Sequence, residues 1–407
     1  MEKSEKIILL VAIVLVGFVW AVVFHYVMGF YFNFSYPFNT FLNVPKEAFG
    51  DFLNALSKIK GFVPYSKTDG WMVYFPLAYL LLFPFTYVKN KLLAYFIFAF
   101  GFLTFLLLMN VKFLYAKNLT RVENFKNIFI MTFMSYPFLY MIDRGNFDMY
   151  LFMLFAVFVY LFKSKRYFLS AVLIGLENAM KPFSALFLIL FLFKKRYKEF
   201  FLSLLFTAVL VLGGFLCFKG GFLNQIHVYQ ANLIMFKKLW IYDNDNRGMI
   251  ESSSLFAALK FLLCSYNQII SSSLLEKIYS YLGFIITSII IFFAYREKTY
   301  WKTITLLTLH MLLVPYIICD YKLIFLFVPI WLFANAEEKT GFDVVYTILF
   351  GLLLIPKKIF TLWIHTGTVS QLVTYGVIIN PIIMMLFVGL IIYEQFKKKH
   401  IETNAQV

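Results

Sequence analysis

The sequence predicts an all-α polytopic membrane protein with about twelve transmembrane helices. Of its 407 residues, 62% are hydrophobic and 14% are charged, whereas soluble domains average about 45–50% and about 25%. Apolar runs near the length that crosses a bilayer also recur along the whole chain. This composition argues against a soluble enzyme, a nucleic-acid-binding protein or a secreted disulfide scaffold. Cys217, Cys264 and Cys319 have neither metal-site spacing nor the pattern of a disulfide framework.

The N-terminal apolar run predicts the first span. Residues 7–30 exceed the length of a signal-peptide core, about 7–15 residues, and no A-x-A site follows them. We therefore expect an uncleaved span with its N-terminus in the cytoplasm. Because a span needs about 20 apolar residues and short or discontinuous helices are tolerated beside water-lined cavities, twelve spans are predicted: 7–30, 92–112, 127–142, 149–162, 167–180, 183–193, 199–218, 278–295, 303–319, 323–334, 343–356 and 372–395.

The segment 74–88, YFPLAYLLLFPFTYV, decides on which side of the membrane every later loop lies. If it only dips in from outside, the cytoplasmic loops carry KSKR, KKRYK, REKTYWK and FKKKH, as the positive-inside rule requires. If it crosses, KSKR and KKRYK move outside. Pro76 and Pro84 also disfavour a regular span. We therefore expect a dip, both termini inside, and a net charge of +16 that reflects cytoplasmic loops rather than a polyanion partner.

The predicted spans divide the chain into three parts. Residues 1–218 form a transmembrane module that includes the first outer loop, 31–91. Residues 219–277 form a second large outer loop, and residues 278–407 form the C-terminal transmembrane helices. Amphipathic stretches such as VPKEAFGDFLNALSKIKGF predict outer-loop helices that lie in the plane of the membrane interface.

Polar residues that interrupt apolar sequence on the outer face are candidate functional groups, because an ionisable residue at membrane depth is costly. Asp51, in FGDFLNAL, is either a functional carboxylate or an ordinary solvated residue near a helix N-terminus. In YMIDRGNFDMY, Arg144, Asn146 and Asp148 occupy a tight turn between apolar runs, where they suit either a site or a plain turn with a helix cap.

Two further outer turns carry charges. Lys181 precedes Pro182, and proline suits the first turn of a helix. The Lys181 ammonium and the N-terminus of that helix would together form an anion site. The alternative is a self-neutralising pair with Glu177 at i, i+4 spacing. Asp320 and Lys322, in PYIICDYKLIFLF, form a second turn of this type on the same side. Such cations would suit a lipid phosphate, and a nearby carboxylate would suit a general base that deprotonates a hydroxyl. Composition alone leaves an anion transporter open.

The ordered motifs GDFLNAL, YFPLAYLLLFPF, RGNFD and a span ending in MKP resemble the polyprenol-phosphate-mannose-dependent mannosyltransferases of glycosyltransferase family 87, which belong to the membrane-embedded GT-C superfamily. Their order and spacing agree over residues 45–215. More weakly, NRGMIESSSLFAAL, which contains Arg247, resembles the Asn/Ser-rich stretch of that family. Two departures are Tyr74-Phe75-Pro76 in place of Tyr-Pro-Pro, and ICDYK in place of a late Ser/Trp/His-rich stretch.

The resemblance implies a GT-C fold in which Asp51 is the catalytic base. Arg144 and Asn146 would shape the pocket, and Lys181 would contact the donor phosphate. The placement of Asp320 and Lys322 in the phosphate pocket is inferred from their position in the sequence. The predicted substrate-binding residues are Arg144, Asn146, Asp148, Lys181, Arg247, Asp320 and Lys322.

The function expected from these residues and the resemblance is inverting transfer of a monosaccharide from a polyprenyl-phosphate donor to a glycan or glycolipid acceptor. The reaction would occur on the periplasmic side of a bacterial inner membrane, without a metal ion or cofactor. One alternative is a lipid or anion transporter or flippase, which predicts pseudo-symmetric halves with broken helices at the midplane. Another is an O-antigen polymerase or ligase, which uses a diphosphate-linked donor.

Overall fold

The computed structural model describes the chain except residues 60, 66–69, 71, 243–248, 250–251, 267–268, 359–360, 367–368 and 405–407. The described part is mainly helical, in agreement with the predicted fold class. Its α-helices are α1 (Lys3–Tyr26), α2 (Gly50–Ile59), α3 (Pro76–Leu82), α4 (Lys91–Leu114), α5 (Arg121–Phe133), α6 (Tyr136–Arg144), α7 (Asp148–Lys163), α8 (Tyr167–Asn178), α9 (Ile189–Phe193), α10 (Tyr197–Leu216), α11 (Phe222–Lys237), α12 (Leu255–Leu259), α13 (Ser272–Arg296), α14 (Tyr300–Leu313), α15 (Phe327–Ala334), α16 (Asp343–Leu354) and α17 (Gly376–Asn404).

An antiparallel hairpin between α16 and α17 was not predicted from the sequence. Its strands are β1 (Thr361–Thr366) and β2 (Val369–Thr374), and they pair in register from Thr361 opposite Thr374 to Thr366 opposite Val369.

Five helical segments of the described chain are long and apolar enough to cross a membrane. They are Lys3–Tyr31, Lys91–Leu114, Tyr197–Leu216, Ser272–Arg296 and Gly376–Lys397. They correspond to the predicted spans 7–30, 92–112, 199–218, 278–295 and 372–395. The count of twelve regular spans is not confirmed, because the other predicted spans are shorter or broken helices.

The predicted span 127–142 is two helices rather than one. Helix α5 ends at Phe133 and α6 begins at Tyr136. Pro137, near the start of α6, has no N–H to continue the hydrogen-bond ladder of a preceding helix. Helix α6 then extends past the predicted boundary and ends at Arg144, so this basic residue lies at a helix C-terminus rather than beside a helix N-terminus.

Three other predicted spans change their helical character. The segment 183–193 begins as a 3₁₀ helix, Pro182–Leu188, before the single turn of α9. The segment 303–319 is helical only to Leu313, and 323–334 begins as a 3₁₀ helix, Asp320–Leu326. The poorer hydrogen-bond geometry of 3₁₀ segments keeps them short and places them at helix ends.

The segment predicted to dip into the membrane is short in the structure. Helix α3 begins with Pro76 at its first position, where the missing N–H costs nothing. A 3₁₀ turn, Phe83–Tyr87, follows it directly. Together these residues fall short of the about 20 that a regular span requires.

Contacts divide the chain into two compact units that interleave along the sequence. Unit 1 comprises Met1–Leu42, Met109–Tyr140 and Asp243–Val407, and unit 2 comprises Asn43–Leu108 and Met141–Tyr242. The three-part division predicted above follows chain order instead, and it stays a prediction.

In unit 1, α1 packs along α16, and α14 packs against α15 and α17. Two buried ion pairs join these helices. Lys6 Nζ lies 3.3 Å from the Asp343 carboxylate, and Lys302 Nζ lies 2.8 Å from that of Glu394. Because each buried ammonium has a carboxylate, these pairs avoid the cost of an isolated charge.

Unit 2 has phenylalanine-rich packing between α2 and α4, and between α7 and the 3₁₀ helix Pro182–Leu188. The rings of Phe52 and Phe98 have their centroids 4.8 Å apart, and those of Phe155 and Phe187 are 4.7 Å apart. Helix α2 buries Phe52, Leu56 and Ile59, whose spacing of four and three residues places them on one face. This amphipathic helix therefore packs its apolar face against protein, and its predicted place in the plane of the membrane interface stays a prediction.

Candidate active site

Asp51 is held near the N-terminus of α2 by the residues that start this helix. Phe49 has a positive φ of 59°, its N–H donates to the Asp143 carbonyl at 2.6 Å, and its ring stacks on Tyr95 with centroids 4.0 Å apart. Phe52 is buried, whereas the side chain of the preceding residue, Asp51, is 23% exposed. The carboxylate is thus fixed in place and still reachable from solvent.

Each oxygen of the Asp51 carboxylate accepts a hydrogen bond from a different residue of the RGN turn. Arg144 Nη2 donates to Oδ1 and forms a short ion pair with it. Asn146 Nδ2 donates to Oδ2 at 2.6 Å. The structure therefore brings Asp51, Arg144 and Asn146 together, and the role of Asp51 stays a prediction.

Asn146 joins this carboxylate to the following helix. Its Oδ1 accepts a hydrogen bond from the Asp148 backbone N–H at 2.9 Å, at the start of α7, while its Nδ2 donates to Asp51. Opposite ends of one amide thus contact Asp51 and the first residue of α7, whereas the N-cap position of that helix is Phe147. Such a residue has a fixed orientation, because turning the amide over would break both hydrogen bonds.

Gly145 makes the turn possible. Its φ is +64°, in the left-handed region that glycine adopts without strain, and its N–H donates to the Met141 carbonyl at the end of α6. A Cβ at this position would lie 3.0 Å from the ring of Tyr95 and 3.2 Å from the Cβ of Phe52. The turn therefore needs glycine for its backbone conformation and for its close packing against α2.

Lys181 and Asp148 form the second ion pair of the site. Lys181 Nζ donates to the two Asp148 oxygens at 2.8 and 3.2 Å, and the Asp148 side chain is fully buried. Glu177 is also fully buried, but in α8, and it does not pair with Lys181. The proposed i, i+4 pair is therefore wrong, because Lys181 extends away from its own helix toward α7.

Tyr74 lies between the two ion pairs. Its hydroxyl accepts a hydrogen bond from Asn146 Nδ2 at 3.4 Å, and Lys181 Nζ lies 4.8 Å from the centre of its ring. Burial raises the pKa of Tyr74 to about 12, against a smaller opposing effect of the Lys181 charge. The phenol is therefore neutral at physiological pH. The sequence marked it only through the Tyr74-Phe75-Pro76 segment, without a role.

Asp320 and Lys322 lie in unit 1, whereas Asp51, Arg144, Asn146, Asp148 and Lys181 all lie in unit 2. Asp320 is 1% exposed and Lys322 is 7% exposed, so neither is a solvated turn residue. Ser253 Oγ donates to the Asp320 carboxylate at 2.5 Å. The expectation that one pocket contains both groups stays a prediction. Arg247 lies outside the described residues.

Five helices that are long and apolar enough to cross a membrane, with a cluster of ion-paired polar side chains, are typical of a polytopic membrane protein with a polar site. The chain matches the model of glycosyltransferase family 87 over residues 71–320, more than half of its length, and it therefore belongs to that family. No curated protein and no solved structure matches it. Membership makes the chain a glycosyltransferase rather than a transporter or flippase.

Proposed function

We propose that this glycosyltransferase moves a monosaccharide from a polyprenyl-phosphate donor to a hydroxyl of a glycan or glycolipid, with inversion at the anomeric carbon. The reaction takes place on the periplasmic side of a bacterial inner membrane. The observation that carries the proposal is the Asp51 carboxylate, which is partly exposed and held at both oxygens by Arg144 and Asn146.

In this mechanism Asp51 is the general base. Its carboxylate accepts the proton of the acceptor hydroxyl as that oxygen forms a bond to the anomeric carbon. The bond between the anomeric carbon and the phosphate oxygen breaks, and the polyprenyl phosphate leaves with the electron pair. Arg144 and Asn146 fix the direction of the carboxylate, which is the geometric requirement for a base within hydrogen-bond reach of its proton.

The phosphate that leaves gains negative charge, which a fixed cation stabilises. Lys181 is the cation of unit 2 that the family resemblance implies for this role; its side chain is 20% exposed and its ammonium donates to Asp148. An ammonium donates hydrogen bonds and carries a positive charge, so this partly exposed side chain is suited to contact a phosphate oxygen. Cationic side chains would then neutralise the leaving group, so the scheme needs no metal ion.

The test is Asp51→Asn in purified full-length protein with a synthetic polyprenyl-phosphate sugar donor. The amide keeps the shape of the side chain but cannot accept a proton, so turnover should fall about 10²–10⁴-fold while the protein still folds and binds the donor. Near-normal turnover would show that Asp51 is not the base.

Glu47→Gln is the matched control. Glu47 lies in the same loop, its Oε2 is 3.8 Å from Nη1 of Arg144, and its side chain is 65% exposed. The substitution removes one carboxylate charge beside the same guanidinium without touching Asp51. Turnover should stay near that of the wild type; an equal loss in both variants would mean that local charge, rather than proton transfer, explains the effect.

A further inference from the structure

Tyr74 lies between the two ion pairs of unit 2, and the mechanism proposed above gives it no role. Its hydroxyl lies 3.4 Å from Asn146 Nδ2, which also donates to Asp51, and the centre of its ring lies 4.8 Å from Lys181 Nζ. The charges of Asp51, Asp148 and Lys181 all act on the phenol. Tyr74 therefore adjoins both the proposed base and the proposed phosphate contact.

The backbone of Tyr74 is held by two other tyrosines. The Tyr65 hydroxyl donates to the Tyr74 carbonyl at 2.6 Å, and the Tyr74 N–H donates to the Tyr79 hydroxyl at 3.2 Å. Tyr65 and Tyr79 are each 1% exposed, and their rings meet edge to face with centroids 5.5 Å apart. The two buried hydroxyls thus fix the point from which the Tyr74 side chain extends.

The ring of Tyr74 is also packed in place. Its centroid lies 5.9 Å from that of Tyr79 and 6.2 Å from that of Phe147. Phe147 is buried and follows Asn146 directly in the turn before α7. A side chain that is already ordered loses little conformational freedom when it contacts a ligand. The phenol is therefore preorganised, as a binding group requires.

The O–H of Tyr74 has no acceptor among the described residues. Because Oδ1 of Asn146 already accepts the Asp148 N–H, the amide presents its N–H to Tyr74, and the phenol oxygen is the acceptor. At 3.4 Å this contact is long, whereas Asn146 Nδ2 lies 2.6 Å from Asp51. Asp51 and the Asp148 N–H thus orient the amide, and the donor of the Tyr74 hydroxyl stays available to a ligand.

The stereochemistry of inversion indicates which part of the substrate lies beside Tyr74. In an inverting transfer the base and the leaving group act on opposite faces of the anomeric carbon. Under the mechanism proposed above, Asp51 is the base and Lys181 contacts the phosphate, so the sugar ring lies between these two side chains. Tyr74 adjoins both of them. The transferred sugar is therefore the part of the substrate next to its phenol.

A neutral phenol is suited to a neutral partner. Because the pKa of Tyr74 is raised to about 12, its hydroxyl keeps its proton and donates it in a hydrogen bond. The cationic Lys181 is suited to a charged phosphate oxygen, whereas the phenol is suited to the oxygen of a sugar hydroxyl. A site that hydrogen-bonds a substrate hydroxyl discriminates against the analogue that lacks it. Such a contact would therefore affect which sugar is accepted.

We propose that the Tyr74 hydroxyl donates a hydrogen bond to one hydroxyl of the transferred monosaccharide and thereby contributes to the choice of sugar. This inference rests on the function proposed above, because it uses the roles given to Asp51 and Lys181. Tyr65 and Tyr79 are positioning residues that hold the Tyr74 backbone. The phenol keeps its proton throughout the transfer.

The experiment measures the binding of donors to purified full-length protein in a neutral detergent, without an acceptor. The parent donor is whichever of synthetic polyprenyl-phosphate mannose and polyprenyl-phosphate glucose the wild type binds more tightly. The other probes are its 2-, 3-, 4- and 6-deoxy analogues and polyprenyl phosphate without a sugar. The wild type should bind one deoxy donor about 10–100-fold more weakly than the parent, because the phenol then lacks its partner.

Tyr74→Phe removes the hydroxyl but keeps the ring and both backbone hydrogen bonds. Its affinity for the parent donor should fall about 3–10-fold, and its preference for the parent over that deoxy donor should fall to about 1–3-fold. Removing a group from the protein and a group from the ligand forms a cycle, which isolates their contact. An undiminished preference in Tyr74→Phe would overturn the proposal.

Polyprenyl phosphate tests whether the phenol contacts the sugar or the phosphate. Tyr74→Phe should bind this ligand as tightly as the wild type does, because the ligand has no sugar. An equal loss of affinity for polyprenyl phosphate and for every donor would mean that the hydroxyl contacts the phosphate or supports the fold. That result would overturn the sugar contact.

Tyr150→Phe is the matched control, because it removes the same atom from another tyrosine of unit 2. The ring of Tyr150 packs against Phe147 with centroids 5.7 Å apart and against Phe98 with centroids 5.0 Å apart. Its affinities and its preference should equal those of the wild type. The same loss of preference in this control would overturn the assignment to Tyr74.

Two comparisons keep the outcomes distinct. If Tyr74→Phe does not fold, the wild-type series decides: a preference confined to one hydroxyl supports the contact, and equal affinity for all four deoxy donors overturns it. If the wild type binds no phosphate-linked ligand, the proposed donor class is overturned together with the contact. Because binding needs no turnover, Asp51→Asn should show the wild-type preference, which separates this proposal from failure of the proposed base.

Discussion

Replacing Lys181 with methionine would leave the Asp148 carboxylate without its cation. The Asp148 side chain is fully buried, whereas that of Lys181 is 20% exposed, and the two contacts measure 2.8 and 3.2 Å. Breaking a buried pair costs about 3–5 kcal/mol because the remaining charge is uncompensated. Water at the exposed end of Lys181 screens part of this charge, so we expect a loss of about 2–3 kcal/mol in the free energy of unfolding.

The assay compares Lys181→Met, Asp148→Asn and the double variant by unfolding in detergent under identical conditions. Replacing Asp148 with asparagine removes the stranded charge, so the double variant should be more stable than Lys181→Met alone. The coupling energy of the cycle then isolates the pair. If Lys181→Met is as stable as the wild type, or if the two substitutions destabilise additively, the ion pair does not hold α7 to the Lys-Pro junction.

Three further predictions concern the turn, the buried lysine and the donor. Gly145→Ala should lower the free energy of unfolding by about 2–4 kcal/mol, from the positive φ and the contacts with Tyr95 and Phe52, and should reduce turnover; wild-type unfolding would contradict the close packing. Because burial lowers the pKa of Lys357, the unfolded chain binds more protons between that pKa and about 10.4. Wild-type stability should therefore rise relative to Lys357→Met from pH 7 to pH 10, and parallel curves would contradict this. Sugar should be transferred from a monophosphate-linked donor and not from the diphosphate-linked one; the reverse would indicate a polymerase or ligase.

The polar motifs of the active site were recognisable because each one interrupts apolar sequence. Asp51 and the RGN turn stand out against their apolar surroundings, and their order along the chain matched a known pattern. They could therefore be named as candidate site residues without coordinates. The choice of partners was not, since Arg144 reaches a carboxylate 93 residues away in the sequence.

The ion-pair partner of Lys181 could not be predicted from sequence spacing. An acid four residues earlier, Glu177, is the obvious partner on a continuous helix. The structure breaks the helix before Lys181, buries Glu177, and turns the ammonium to Asp148 on α7. A difference of a few residues in where a helix ends thus changes which acidic and basic side chains form an ion pair. The apolar content of the sequence does not determine where a helix ends.

The sequence by itself determined the membrane class, the helical fold and the acidic and basic groups of the site, because apolar run length and residue chemistry are local properties. Only the tertiary structure decided where the helices break, which cation meets each carboxylate, and that Lys357 is buried with no carboxylate of the described residues within ion-pair distance. These outcomes depend on packing between segments that are distant in the sequence. A buried charge is unfavourable unless an opposite charge lies beside it, and the packing determines which opposite charge that is.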